Sequence, residues 1–172
     1  MKNKFLKFGL YSALLGMVLM GFGLLAGRTL NYASQQVLGF VIIIATLVLA
    51  IYFGIKKLRD EWHQGYLNFG KAFMYGLLLT FFVGLGIAFM DYIYTQFINP
   101  DFYSNYMDYY LETLKNTLSA EEFNIKKAEI EAAPDYQKAA WFMALGMYFA
   151  TVFWGFFVSL AMAMILKKQK EN

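Results

Sequence analysis

Long apolar runs alternate with short polar ones along the chain. Four stretches, at 8–26, 37–55, 72–94 and 141–166, run for 19, 19, 23 and 26 residues, and the only charge in any of them is Asp91 in the third. An α-helix rises 1.5 Å per residue, so about 20 apolar residues cross a hydrocarbon core about 30 Å thick. Four transmembrane helices are therefore predicted. The 46-residue segment at 95–140 has a different pattern. Asn99-Pro100-Asp101 offers a capping residue, a proline suited to a first helical turn and an acid for the positive end of a helix. Tyr103, Met107, Tyr110, Leu111, Leu114 and Leu118 then recur at three- and four-residue steps, which predicts an amphipathic helix. Ser119-Ala120-Glu121-Glu122 reads as a capping box, and a second short helix should run to about Ala132 and stop before Pro134. The expected fold is all-α and a single domain: a four-helix transmembrane bundle with an extracytoplasmic helical hairpin at about 99–133 between spans three and four.

Within the spans the informative residues are small. Span three carries Ala72, Gly76, Thr80, Gly84 and Ala88 at four-residue steps, and span four carries Thr151, Gly155, Ser159 and Ala163. Shorter versions are Gly23 to Gly27 in span one and Thr46, Ala50 and Gly54 in span two. Lipid removes any hydrophobic force between helices, so such rows serve close backbone approach. Helix packing is the expected role of Gly76, Thr80, Gly84, Ala88, Thr151, Gly155 and Ser159; an interface that slides would use the same rows.

Composition supports a membrane protein, with 59% hydrophobic and 16% charged residues against soluble averages of roughly 45–50% and 25%. With no cysteine and a single histidine, His63, there is no thiol nucleophile, thiolate-held metal, two-histidine haem or usual zinc site. No G-x-S-x-G elbow, phosphate-binding loop or dinucleotide fingerprint occurs. Enzymatic chemistry by the common routes, a cofactor and a nucleic-acid partner are not expected.

Charge sets the expected orientation. Residues 1–7, 56–71 and 167–172 carry ten Lys and Arg, and residues 27–36 and 95–140 carry five. Short basic loops stay in the cytoplasm, so both termini are expected there. Lys2, Lys4 and Lys7 precede an apolar run of 19 residues, longer than the roughly 7–15 of a cleaved signal core, so the first span is expected to be retained.

Four residues are candidates for function: Asp91, Arg59, Asp60 and His63. Asp91 lies about 30 Å along the helix axis from Lys71, beside Tyr92 and Tyr94. That position favours a hydrated interfacial carboxylate, with an ion or proton site as the alternative. Arg59, Asp60 and His63 belong to the loop between spans two and three, where Lys56, Lys57 and Arg59 suit anionic headgroups, by about 1 kcal/mol each, and Trp62 suits an interfacial anchor. Such a loop is also a place for a partner site. Tyr103, Tyr106, Tyr109 and Tyr110 fit an interfacial or packing role, or a partner surface.

The run Gly54-Ile55-Lys56-Lys57-Leu58-Arg59-Asp60, followed by Gly65-Tyr66-Leu67-Asn68-Phe69-Gly70-Lys71-Ala72, resembles DUF4199, a bacterial membrane-protein family of unknown function. Leu38-Gly39-Phe40 and Phe97-Ile98-Asn99-Pro100-Asp101-Phe102 are similar to its other recurrent features. The resemblance implies a small four-span protein of the bacterial inner membrane and brings no activity or catalytic residue with it. The expected function is a non-enzymatic structural or interaction protein whose partners are the lipid bilayer and a second copy or another membrane protein. A small oligomeric transporter or channel component is the alternative, and an unusual integral enzyme a third.

Overall fold

The computed structural model describes residues 2–168, with side chains from Phe5 onward. Six α-helices follow one another: α1 (Lys2–Gly27), α2 (Tyr32–Trp62), α3 (Phe69–Ile93), α4 (Phe102–Thr117), α5 (Ala120–Glu131) and α6 (Ala140–Leu166). A π-helical turn (Tyr94–Ile98) extends α3, and a 3₁₀ turn (Asp135–Lys138) precedes α6. No strand occurs among the described residues, where the one bridge pairs Leu67 with Lys168. Helices α1, α2, α3 and α6 are each long and apolar enough to cross a membrane, so the chain is an all-α protein with four membrane-span helices.

The helices overrun the apolar runs because their ends are fixed by polar residues outside them. Asn31 caps α2 by accepting from the Ser34 amide (2.8 Å), and Asn68 caps α3 by accepting from the Lys71 amide (2.9 Å). Helix α2 has 31 residues and so extends to about 46 Å, well past a hydrocarbon core. Its Lys56 to Trp62 residues are therefore turns of helix rather than loop.

Helix α3 packs against α6, α1 and α2, and α2 also packs against α1 and α6, so α2 and α3 form the centre of the bundle. Their facing residues Leu47, Ile51, Leu79, Val83 and Ile87 are fully enclosed. On the opposite side of α3 an apolar groove of about 1030 Å³ opens between α1 and α6, with Gly86 and Ala88 in its floor and Met17 and Tyr148 on its walls.

Between the third and fourth span helices, the Ser119 capping box forms as the sequence indicates: the Ser119 hydroxyl accepts from the Glu122 amide, and the Glu122 carboxylate accepts from the Ser119 amide (3.0 Å). Helix α5 ends at Glu131, before Pro134. The start of α4 differs from the expectation. Pro100 lies outside the helix, Asp101 makes no side-chain cap, and Asn99 is taken up by the preceding turn, its amide bonding to the Tyr94 carbonyl (2.8 Å). Rings hold α4 against the rest of the chain, with Tyr32 at the start of α2 packing on Phe102, Tyr106 and Tyr109. Gln36 donates to the Tyr106 hydroxyl (2.8 Å).

Candidate functional site

The expected packing residues meet where α3 crosses α6. A Cβ at Gly76 would lie 2.9 Å from the Ser159 Cβ, and one at Gly155 would collide with the Thr80 side chain. Thr80 donates to the Gly76 carbonyl (3.1 Å), and its oxygen lies 3.3 Å from the Ser159 hydroxyl. Since a threonine has one hydroxyl hydrogen, Ser159 is the donor across the interface. Thr151 turns to its own helix, donating to the Met147 carbonyl (2.8 Å). Gly84 meets a ring rather than a small residue, with the Tyr148 edge 3.0 Å from the position of its absent Cβ. Ala88 lies apart from this contact, in the floor of the groove between α1 and α6.

A closer approach links α3 to α1. A Cβ on Gly86 would enter the backbone carbonyl of Ala13, and one on Gly16 would lie 2.9 Å from the Val83 carbonyl oxygen. The four-residue steps in α3 pass over Gly86. Its sequence signal is the pair Gly84-x-Gly86 together with Gly9, Ala13 and Gly16 in α1.

The α2 to α3 connection is a fastener for the end of α6. Gln64 (φ 53°) and Gly65 (φ 83°) turn the chain through the left-handed region, where a side chain at position 65 would be strained, and the Gly65 amide returns to the Arg59 carbonyl (3.0 Å). The turn sends Leu67 into the core, where its amide donates to the Lys168 carbonyl (2.9 Å) and its carbonyl accepts from the Lys168 amide (2.8 Å). Arg59 adds a third tie. Its Nη1 donates to the Leu166 carbonyl at the C-terminus of α6 (3.4 Å), while its Nε donates to Asp60 (2.8 Å). A cation there satisfies a terminal carbonyl and complements the negative end of the helix.

His63 stands on the other side of the same turn. Its Nε2 is 2.9 Å from the Tyr75 hydroxyl on α3. Burial, and secondarily the charge of Lys71, holds the imidazole pKa below its ordinary value of 6.5. Trp62 is wedged between the Phe5 and Phe8 rings, and its indole N–H is enclosed without a partner among the described residues. Lys57 lies over the Phe8 ring (5.1 Å). Arg59 and Asp60 thus act together, whereas His63 belongs to an aromatic cluster.

Asp91 is at the far end of α3. It faces the bundle with 6% of its surface exposed, not the hydrated position suggested by its distance from Lys71. Thr95, also buried, donates to the Asp91 backbone carbonyl (2.8 Å), and the Tyr94 ring packs on Phe102 with Arg28 over its face (5.9 Å). Among the described residues no hydrogen bond or ion pair reaches the Asp91 carboxylate, and no cluster of three or more His, Cys, Asp or Glu could hold a metal.

The family described as protein of unknown function, DUF4199, matches residues 7–168. The chain belongs to DUF4199. No curated protein and no solved structure matches it. The DUF4199 features quoted from the sequence include the fastener itself: Arg59 and Asp60, the Gly65 turn, the Leu67 bridge and the Asn68 cap all lie in the two runs that carry the resemblance.

Proposed function

We propose that this DUF4199 protein is a non-enzymatic integral membrane protein of the bacterial inner membrane, with cytoplasmic termini, that works through contacts with other membrane proteins. The observation that carries the reading is what the mid-depth hydroxyls do. Thr46, Thr80 and Thr151 each donate to the carbonyl four residues back in their own helix, and Thr80 and Ser159 meet inside a tight contact between α3 and α6. A solute pathway calls for polar groups that converge on an opening at this depth; these groups are spent on the bundle itself. The fastener gives the family-like loop residues a structural role as well.

Asp91 supports the second reading, a transporter or channel component, because an ionisable residue buried in a span is costly and marks a candidate ion or proton site. Reconstituted in vesicles, the protein is expected to pass ions and small solutes no faster than empty vesicles, and crosslinking in native membranes should recover discrete protein adducts. A flux above background that is lost in both Thr80→Val and Asp91→Asn would overturn the interaction reading in favour of transport.

A further inference from the structure

The end of the bundle where α2 and α6 stop is the basic end. Two acids stand there among the described residues, and both are engaged: Asp60 with Arg59 (2.8 Å) and Glu61 with Lys57 (3.6 Å). Lys56 and Lys168 come from different helix ends and, like Lys7, Lys71 and Lys167 at the same end, have no carboxylate within ion-pair distance among the described residues. Arg59, one helical turn after Lys56, reaches the Leu166 carbonyl two residues before Lys168, so the two lysines stand at the same corner, where α2 meets the end of α6. Each ammonium is also set over a tyrosine ring at 5.9 Å, Lys56 over Tyr52 and Lys168 over Tyr66.

This grouping is built by the fold. Lys56 is on the continuous helix α2, and Lys168 is fixed by its two backbone hydrogen bonds to Leu67, reinforced by the Arg59 contact to Leu166. The surroundings are amphipathic. Tyr52 and Tyr66 have the interfacial character of rings at the edge of a bilayer, and Phe53 and Ile165 expose apolar surface just below, toward the hydrocarbon. A ligand suited to this place has one delocalised negative charge at the level of the ammonium groups and an apolar body beneath it. We propose that Lys56 and Lys168 together hold the phosphodiester of one anionic phospholipid at this end of the bundle.

The full chain, purified in a neutral detergent, is offered phosphatidylglycerol and phosphatidylcholine in equal amounts, and native mass spectrometry reads the bound ratio. One phosphatidylglycerol per chain is expected to be retained in preference. Each cation near an anionic surface contributes about fivefold, so Lys56→Gln with Lys168→Gln should lower the preference about 30-fold. Lys56→Arg with Lys168→Arg should keep it. Lys126→Gln with Lys127→Gln removes the same charge from α5 and should leave it unchanged. Thermal unfolding of each double variant checks that the bundle is intact. An equal fall in both glutamine pairs would assign the effect to net charge and overturn the site. Displacement of the lipid by equimolar inorganic phosphate would overturn it in favour of a free-phosphate site.

Discussion

Arg59 donates to the carbonyl oxygen of Leu166 across 3.4 Å, joining the last turns of α2 to the C-terminus of α6, two elements separated by most of the chain. The same guanidinium engages Asp60 through Nε, so its plane is fixed by two acceptors. Replacing Arg59 by Leu removes both bonds and a favourable cation at a helix C-terminus. We expect a loss of about 1 kcal/mol in thermal unfolding in detergent. Arg59→Lys keeps the charge but loses the fork, so it should restore only part of the loss. Equal stability of Arg59→Leu and the parent chain would remove the fastener from the account.

The α1 to α3 crossing gives a graded test. Gly86 faces the backbone of Ala13, which cannot rotate away, whereas Gly155 faces the Thr80 side chain. Gly39 and Gly146 have open space where a Cβ would go. Gly86→Ala should therefore destabilise most, by about 2 kcal/mol, through forced separation of two helices. Gly155→Ala should cost less. Gly39→Ala should be neutral or stabilising by up to about 1 kcal/mol, since alanine is the better helix former. The ordering in thermal unfolding is the readout, and equal tolerance at Gly86 and Gly39 would show the close approach to be unimportant.

These particulars mark what the sequence can reveal. The span helices are legible because only uninterrupted apolar runs satisfy both lipid and backbone, and the small rows of α3 and α6 are legible because both repeat at four residues. Gly86 is not, because its partner row lies in α1 and the contact depends on where two helices cross. The helix ends are set by Asn31 and Asn68 rather than by hydropathy. Axial distance places Asp91 near the end of its span, but its burial depends on what packs around the helix, which distance along one helix does not give. The loop residues carried a family resemblance; their pairing with Leu166 and Lys168 joins positions about a hundred residues apart, which local pattern cannot supply.

Orientation is open to a direct measurement, because the chain has no cysteine of its own. With basic residues divided ten to five between the two sides, a cysteine introduced at Gln64 should be shielded from an impermeant thiol reagent in intact cells, and one at Asn116 should label. The reverse pattern would invert the proposed topology.

His63 predicts a pH dependence with a definite sign. Its folded-state pKa is depressed below 6.5, chiefly by burial and further by Lys71. The folded state thus favours the neutral ring, and this contribution is fully present above about pH 6.5 and declines as pH falls through the folded-state value. Thermal unfolding at about pH 7.5 and about pH 5.5 should show a larger drop for the parent chain than for His63→Gln. An imidazole resonance titrating at or above 6.5 would contradict the assignment.

Asp91 decides how much of the far end of the bundle is closed. At 6% exposure, a cysteine at this position should react with a hydrophilic thiol reagent at least about tenfold more slowly than one at exposed Asp101. A hydrated interfacial position would give similar rates. Asp91→Asn tests the energetic side with nearly the same shape. A buried carboxylate without a bonded partner carries a desolvation cost, so its neutral amide should unfold no earlier than the parent chain. If the carboxylate instead holds a partner that matters to the fold, the amide should lose more than about 1 kcal/mol. Slow labelling with an unharmed Asn variant would place Asp91 as an acid kept in the bundle at a cost to stability, and would make it the first residue to test in any search for transport.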